Sequence, residues 1–423
     1  MYRLYHIRNF ADSVVRLQDN KIKHLLNASL FSQVVAVAAR GLERAQEFAK
    51  KHNIPKAYGN YEELANDPAI DVVYVHPCHF PACLLYMNAR KNLLCEKPFS
   101  TNSGELIASA RKNNVFLMEV VAVAGRGLER AQEFAKKHNI PKAYGNYEEL
   151  ANDPEIDVVY VGTIHPCHLP ACLLYMNAGK NLLCEKPFSM NSGEVQKLIT
   201  SARKNNVFLM EAMWTRFFPA SREISRILSQ GELGEVKVAR AEFGVPSMHV
   251  PRSVEKELGG GALMNIGVYC VQFALMVFDG ERPETIQASG FCLDSGVDEA
   301  MVVTLMFSRN RIAVCICSVA AQLPNEAVIV GTKGSIKIPA NMWCPTALVV
   351  NGKEEEYPLP QPSLPLNFVN STGLRYEAEE VRQCLLKGLK ESSRMSLSDS
   401  ALLMEIMDEA RRQVGVLYSQ DIQ

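Results

Sequence analysis

The sequence predicts an α/β protein in two parts: a doubly wound parallel sheet, then an α+β domain with a large, mainly antiparallel sheet. Three observations carry that reading. Between residues 120 and 213, short apolar runs alternate with amphipathic helical stretches, the order that folds into parallel strands with crossover helices. Beyond Pro219, strand-like runs follow one another through hairpin-type turns, Ser308-Arg309-Asn310-Arg311 and Gly331-Thr332-Lys333-Gly334. Finally, much of the first part is written twice. Residues 34–75 return as 120–161 with two differences, Ala39 against Gly125 and Ala69 against Glu155.

The elements follow in order. Residues 1–33 match nothing else in the chain, and 13–30 suit a polar, loosely amphipathic helix. In the second copy, 120–124 read as a buried strand. A helix over 127–138 places Leu128, Ala131, Phe134 and Ala135 on one face. Ala143 and Tyr144 are extended, 147–152 form a helical turn closed by Asp153-Pro154, and 157–161 make the second strand. A helix through Pro170 to Asn177 leads to a third strand at 181–184. Residues 192–204 are helical and 207–211 form a fourth strand. Past Trp214 come a helix at 221–230, a strand at 236–243 and the run Gly259-Gly260-Gly261. The apolar stretch 261–278 contains Asn265, Tyr269 and Gln272, so it reads as a buried helix, not a membrane span. Strands at 285–291, 301–308, 312–323, 327–331 and 335–338 supply the second sheet. A Pro-rich loop over 357–366 precedes helices at 374–390 and 398–418. The domains so drawn are an unmatched segment 1–33, a partial duplicate 34–119, a nucleotide-type domain 120–213 and a second domain 214–423, whose terminal helices are expected to pack back on the first.

Composition narrows the function classes. Hydrophobic residues make up 48% and charged residues 22%, with a net charge of -1, as in ordinary globular proteins. No basic stripe argues for nucleic acid. Six of the 12 cysteines belong to the repeat and no CxxC pair occurs, which suits reduced thiols in a cytoplasmic protein. The first dozen residues lack the unbroken apolar core of a signal peptide.

The chemistry gathers at Asn181-Leu182-Leu183-Cys184-Glu185-Lys186-Pro187. An apolar strand runs into a charged pair, and Pro187, having no N–H, ends the ladder. Ligands of open α/β sheets bind at such carboxyl ends, where a lysine acts as a point charge. The same words occur at Glu96-Lys97-Pro98. Asn265 and Tyr269 lie four apart on one helix and share a face. Tyrosine with lysine is a familiar proton-transfer pair, the cation lowering the tyrosine pKa; a buried tyrosine with a satisfied hydroxyl fits the same spacing. Arg126 ends a strand where an acid would bond a ribose 2′-hydroxyl, and arginine suits a 2′-phosphate instead; a solvated helix start would also take arginine, and Arg40 is its counterpart in the first copy. His165-Pro166-Cys167-His168 with Cys172 offers metal-type ligands but no second pair nearby, so a cofactor-side loop is favoured and no metal site is expected. One part is missing. Residues 1–33 contain no glycine, and Val115 to Ala124 runs from one copy into the next without a turn, so neither copy carries a first strand with the Gly-rich turn that cradles a pyrophosphate.

These residues carry a resemblance. Glu185-Lys186-Pro187, Met210-Glu211-Ala212-Met213-Trp214-Thr215-Arg216-Phe217 and the run from Gly259 to Tyr269 resemble the Gfo/Idh/MocA oxidoreductases. The likeness extends through Val330-Gly331-Thr332-Lys333-Gly334, Trp343-Cys344-Pro345 and Arg375-Tyr376-Glu377-Ala378. It implies a Rossmann domain, NADP as coenzyme, a sheet domain used for homodimerisation, and hydride transfer between the nicotinamide and an alcohol carbon. The implied substrates are trans-dihydrodiols of aromatic hydrocarbons, dicarbonyls and pentoses such as D-xylose. By the same resemblance, Tyr269 is the proton donor or acceptor and Lys186 its ribose-contacting partner. Arg126, His165, His168, Glu185 and Asn265 fall on the coenzyme side, and Trp214, Trp343 and Phe368 line the substrate pocket. The family has aspartate where this chain has Asn265. That change and the missing turn set the alternative, a dimerising relative with a broken nucleotide site.

Overall fold

The structure is a computed structural model that describes residues 36–38, 42–52, 54–69, 72–75, 92–95, 120–360 and 366–422. The expected helix at 13–30, Arg40, the Glu96-Lys97-Pro98 motif, and His76, Cys78 and His79, which are the first copy's counterparts of His165, Cys167 and His168, lie outside the described residues. The chain divides into two compact units, 1–120 with 360–365, and the remainder.

In the first unit, β1 (Ala36–Ala38), α1 (Leu42–His52), β2 (Lys56–Tyr58), α2 (Tyr61–Asn66), β3 (Val72–Val75) and β4 (Asn92–Cys95) follow one another. β1 pairs with β2 and β3 with β4, both in parallel, as two separate ribbons.

The second unit repeats this order and continues it. β5 (Ala122–Ala124), α3 (Leu128–His138), β6 (Lys142–Tyr144) and α4 (Tyr147–Asn152) are followed by β7 (Val158–Val161), α5 (His168–Asn177), β8 (Asn181–Glu185), α6 (Ser192–Lys204) and β9 (Leu209–Ala212). Asparagine starts two of these helices: Asn146 and Asn191 side chains accept the N–H of Glu149 and Glu194, the usual way to satisfy a first-turn donor. Parallel strands alternate with helices, a Rossmann-type arrangement, but the sheet is split. β5 pairs only with β6, while β7, β8 and β9 form a separate parallel sheet among the described residues. Among the described residues, the break falls where a doubly wound sheet of order 3-2-1-4-5-6 would hold strand 1, the strand that the sequence reading expects to be missing.

The split corrects two expectations. β5 is only half-buried. On α3, Ala131 and Ala135 are buried, but Leu128 and Phe134 are about half-exposed. A ribbon of two strands is too narrow to cover a full apolar stripe, so the small side chains touch it and the long ones overhang.

Beyond α7 (Pro219–Ser229), β10 (Val236–Gly244) enters an eight-stranded sheet. A short helix α8 (Pro251–Val254) and the glycine run lead into a π-helical turn, Leu263–Gly267, and α9 (Val268–Val277). Then come β11 (Thr285–Cys292), β12 (Asp298–Phe307), β13 (Arg311–Ser318), β14 (Ala327–Gly331), β15 (Ser335–Ile338), β16 (Ala347–Val350) and β17 (Lys353–Glu356). The order is β11-β12-β13-β10-β14-β15-β16-β17, antiparallel throughout except for β10 beside β13. Arg309 and Asn310 both take positive φ, as the two-residue hairpin turn demands. β13 stops at Ser318, short of the expected 323, because Ser318 Oγ takes the Ala320 N–H and competes with the ladder. The hairpin β16–β17 was not expected from the sequence, although its turn, Asn351-Gly352, is a strong hairpin signal and both residues have positive φ. The stretch Lys256–Val277 is apolar and long enough to cross a membrane by composition, but 83% of its most apolar window is buried. It is the core helix under the sheet, packed on β10 and β13, whose Ala239, Ala241, Phe243 and Cys315 are buried. Finally α10 (Leu374–Leu386) and α11 (Leu397–Val414) close the chain. α11 packs on α6, α9, β9 and β11, and its Arg411 and Asp408 bond Met190 O and the Ser192 N–H.

Candidate active site

The site grows from the end of β8. Leu182, Leu183 and Cys184 are buried between flanking strands. At Lys186-Pro187, joined by a cis peptide bond, the chain leaves the sheet. The Phe188 N–H donates to Glu211 Oε1 at 3.0 Å and fixes the exit. Glu185 accepts from Tyr160 Oη and, at 3.2 Å, from the Lys186 N–H.

Lys186 then meets the Tyr269 helix. Its Nζ donates to Asn265 O at 2.9 Å and lies 4.8 Å from the centre of the Tyr269 ring. The helix is wound wide here: the Val268 N–H reaches back five residues to Leu263 O, a π-type turn of the kind frequent at functional sites. The glycines ahead of it permit close approach. Gly261 has φ +111, and a Cβ there would stand 2.4 Å from Asp298 Oδ1. Gly259, at φ +73, packs against His165 and Pro166.

Tyr269 is buried, and Trp214 Nε1–H donates to its Oη at 3.0 Å. Burial, assisted by the Glu185 charge, pushes its hydroxyl well above the ordinary tyrosine range. The expectation that Lys186 lowers it is therefore corrected. The ammonium sits over the ring face, not at the oxygen, and desolvation outweighs it. Burial also pushes Lys186 down to about 8, against the pull of Glu185.

The histidines do different work from each other. His168 is fully buried, with Nδ1 2.9 Å from Pro187 O and Nε2 3.1 Å from Thr163 O. Burial favours the neutral ring, which carries one N–H, so His168 donates to only one of these two carbonyl oxygens and sets its other nitrogen beside the second. His165 Nδ1 lies 3.0 Å from Gly259 O. Burial lowers the pKa of both rings. Among the described residues no group of three metal-type ligands gathers.

An aromatic wall stands beside these residues. Trp214 stands edge-on to Phe368 at 5.8 Å and to Phe218 at 5.1 Å. Trp343 stacks on Phe243 at 3.9 Å, and Phe243 lies 5.7 Å from the Tyr269 ring. Thr215 Oγ1 donates to Trp343 O at 2.5 Å. Lys186, Tyr269, Asn265, His165, Trp214, Trp343 and Phe368 thus surround one region. Arg126 is exposed where β5 ends, and no described contact ties it to that cluster. Sequence reasoning passed over Phe243 and Glu211. The signal for Glu211 was present: it is an acid at the end of an apolar strand, placed like Glu185.

The donor set fits the reacting end of a nicotinamide coenzyme, since a lysine, a tyrosine and a widened helix turn converge at strand ends. At the phosphate end, no Gly-rich turn precedes β5 among the described residues, and no described strand joins β5 to β7. Asn265 Nδ2 is spent on Gly261 O and Arg252 O at 2.9 and 3.3 Å.

Comparison with known proteins agrees with this layout. The model of the oxidoreductase family with an NAD-binding Rossmann fold matches twice, at residues 14–119 and 106–213, and that of the GFO/IDH/MocA C-terminal domain at 221–337. A Danio rerio protein named trans-1,2-dihydrobenzene-1,2-diol dehydrogenase is 71% identical over 305 residues, 72% of this chain and 91% of the relative. The Homo sapiens protein of that name is 50% identical over 303 residues, 72% and 91% of the two chains. Among solved structures, an aldose-aldose oxidoreductase from Caulobacter crescentus complexed with glycerol has a TM-score of 0.61 at 22% identity, covering 70% of this chain and 89% of its own. A 3-ketoreductase from Actinomadura kijaniata in complex with NADP and TDP-benzene has 0.59 at 23%, covering 71% and 91%. At such identities the structures speak to fold.

Proposed function

We infer the function from one premise: this chain belongs to the Gfo/Idh/MocA oxidoreductase family. It is a nicotinamide-dependent dehydrogenase of the dihydrodiol dehydrogenase type. The finer reading is an NADP-dependent enzyme that oxidises trans-1,2-dihydrodiols and, as a second substrate, D-xylose. The single observation that carries it is the contact of Lys186 with the Tyr269 helix beside an aromatic wall. When bound, the coenzyme supplies the hydride acceptor. Everything else falls to the chain. As phenolate, Tyr269 Oη takes the alcohol proton; as the neutral phenol that burial favours, it gives one to the carbonyl in the reverse direction. The Trp214 N–H at the oxygen favours the phenolate that must form, and the Lys186 charge over the ring face adds a weaker pull that burial outweighs at rest. Trp214, Phe243, Trp343 and Phe368 present flat apolar faces suited to a ring-bearing diol and exclude water. Arg126 supports the choice of NADP over NAD through the 2′-phosphate.

The experiment is a fluorescence titration with NADPH and NADH, followed by turnover of a trans-dihydrodiol and D-xylose. NADPH is expected to bind at least tenfold more tightly than NADH, and Arg126→Ala to abolish that preference. Absence of NADPH binding at millimolar concentration would sink the reading. The split sheet favours a second reading, a dimerising relative whose nucleotide site is broken; measurable diol turnover rules it out.

Homodimerisation through the eight-stranded sheet belongs to the same proposal. Its outer face carries Val238, Val302, Met306 and Val330, all exposed, in one neighbourhood set by the strand register. Apolar patches of this kind mark association surfaces. Sedimentation should show a dimer that Val302→Lys dissociates, and a monomeric wild type would end the idea.

A further inference from the structure

Glu211 stands beside Cys184 in the parallel register of β8 and β9, one strand from the Lys186 turn. It is 1% exposed. Oε1 accepts the Phe188 N–H at 3.0 Å, so the carboxyl grips the backbone two residues past Lys186. Oε2 makes no hydrogen bond of ordinary geometry, although the Ser400 hydroxyl beside the carboxyl favours its charged form. A carboxylate so placed is costly to ionise unless cations compensate it. Two face it, Lys186 and Arg216.

Arg216 is largely committed elsewhere. Its Nε donates to Gln272 Oε1 at 3.2 Å, and Nη1 donates to Arg394 O at 2.9 Å and Asp399 Oδ2 at 3.1 Å. Gln272 lies three residues past Tyr269 on α9. Asp399 closes the capping box that starts α11. Glu211 therefore sits between the turn that bears Lys186 and an arginine bonded to the helix that bears Tyr269. The charges around Lys186 itself are Glu185, Glu211 and Arg252, with His165 and His168 alongside.

We propose that Glu211 is a positioning residue for Lys186: it clamps the backbone after Pro187 and supplies a buried negative charge that keeps the Lys186 ammonium charged beside Tyr269. The inference rests on the proton-transfer role of Lys186 and Tyr269. Electrostatics agree with it. Burial pushes Glu211 up to about 7, while Lys186, pushed down to about 8 by burial, is held from falling further by Glu185 and Glu211. The sign follows. Between these values both groups are ionised, and above the higher one Lys186 loses its proton. Removing the Glu211 charge therefore brings deprotonation of Lys186 to lower pH.

The test follows Lys186 Nζ by NMR in the full chain carrying labelled lysine, with Lys186→Met to assign the resonance. It needs no turnover, so failure of the dehydrogenase reading and failure of this inference are separable. In Glu211→Gln the amide oxygen still accepts the Phe188 N–H. The Lys186 midpoint is expected to fall by about half to one unit, a three- to tenfold change in its proton affinity. The alkaline limb of kcat/KM should move with it. In the wild type, the Lys186 resonance should show a second, smaller inflection near neutrality as Glu211 ionises. A midpoint that stays or rises in Glu211→Gln, with activity lowered equally at all pH, overturns the proposal. Should that variant not fold, a wild-type curve without the second inflection overturns it instead.

Discussion

Tyr269→Phe is expected to lower kcat/KM for alcohol oxidation by about 10²- to 10⁴-fold, the usual contribution of a positioned general acid or base. The change removes one oxygen and nothing else from a buried site. The Lys186 ammonium keeps its aromatic face, since the cation sits over the ring and not at the hydroxyl. Trp214 Nε1 loses its acceptor, which costs about 1–3 kcal/mol of stability if no other acceptor replaces it. A loss of activity on the scale of a proton-transfer step, with a fall in Tm of only a few degrees, therefore separates the chemical role from a packing role. KM should change little, because the hydroxyl acts in the transition state more than in substrate binding. Steady-state kinetics with thermal unfolding of the same preparation decide it. A loss under tenfold would show that the proton goes elsewhere, and would return Tyr269 to the reading of a buried tyrosine with a satisfied hydroxyl.

How much of this was legible in the sequence depended on range. β8 and its charged exit were readable because strand, charge and proline are adjacent in the chain. The helix at Ser192–Lys204 was placed because Asn191 caps it locally. The fate of Leu128 and Phe134 was not readable: a helical stripe records what a helix could bury, while the width of the sheet beneath decides what it does bury. Phe243 on Trp343 joins residues far apart in sequence, and strand alternation marks Phe243 only as inward-facing. The Lys186 bond to Asn265 was hidden for another reason. The sequence pointed to the Asn265 side chain, yet the lysine uses its backbone oxygen, which every residue type has. The Asn265 side chain instead holds Gly261 O. The Asn351-Gly352 hairpin was legible and overlooked.

Giving the chain the missing strand and turn is expected to tighten NADPH binding by about 100-fold, or about 3 kcal/mol. The graft would place an apolar strand, a Gly-rich turn and a helix ahead of β5, in place of 1–119. The structure shows why a strand should seat there. β5–β6 and β7–β8–β9 are separate parallel sheets, so the edges of β5 and β7 away from their partners carry no described strand. A strand between them would pair on both sides and restore one continuous sheet, with its turn aimed at the carboxyl ends where Lys186 already stands. The gain in affinity comes from the backbone N–H groups of the turn and the helix N-terminus, which meet the pyrophosphate; two charge-assisted hydrogen bonds at about 1.5 kcal/mol each supply the expected energy. Isothermal titration of NADPH into the graft and into the native chain measures the difference. Reversing Lys186→Met on both backgrounds should leave the 100-fold ratio intact, because lysine and turn contact opposite ends of the coenzyme. If the graft folds and the two affinities agree, the pyrophosphate is held by other parts of the native chain, and the split in the sheet is no defect in the nucleotide site.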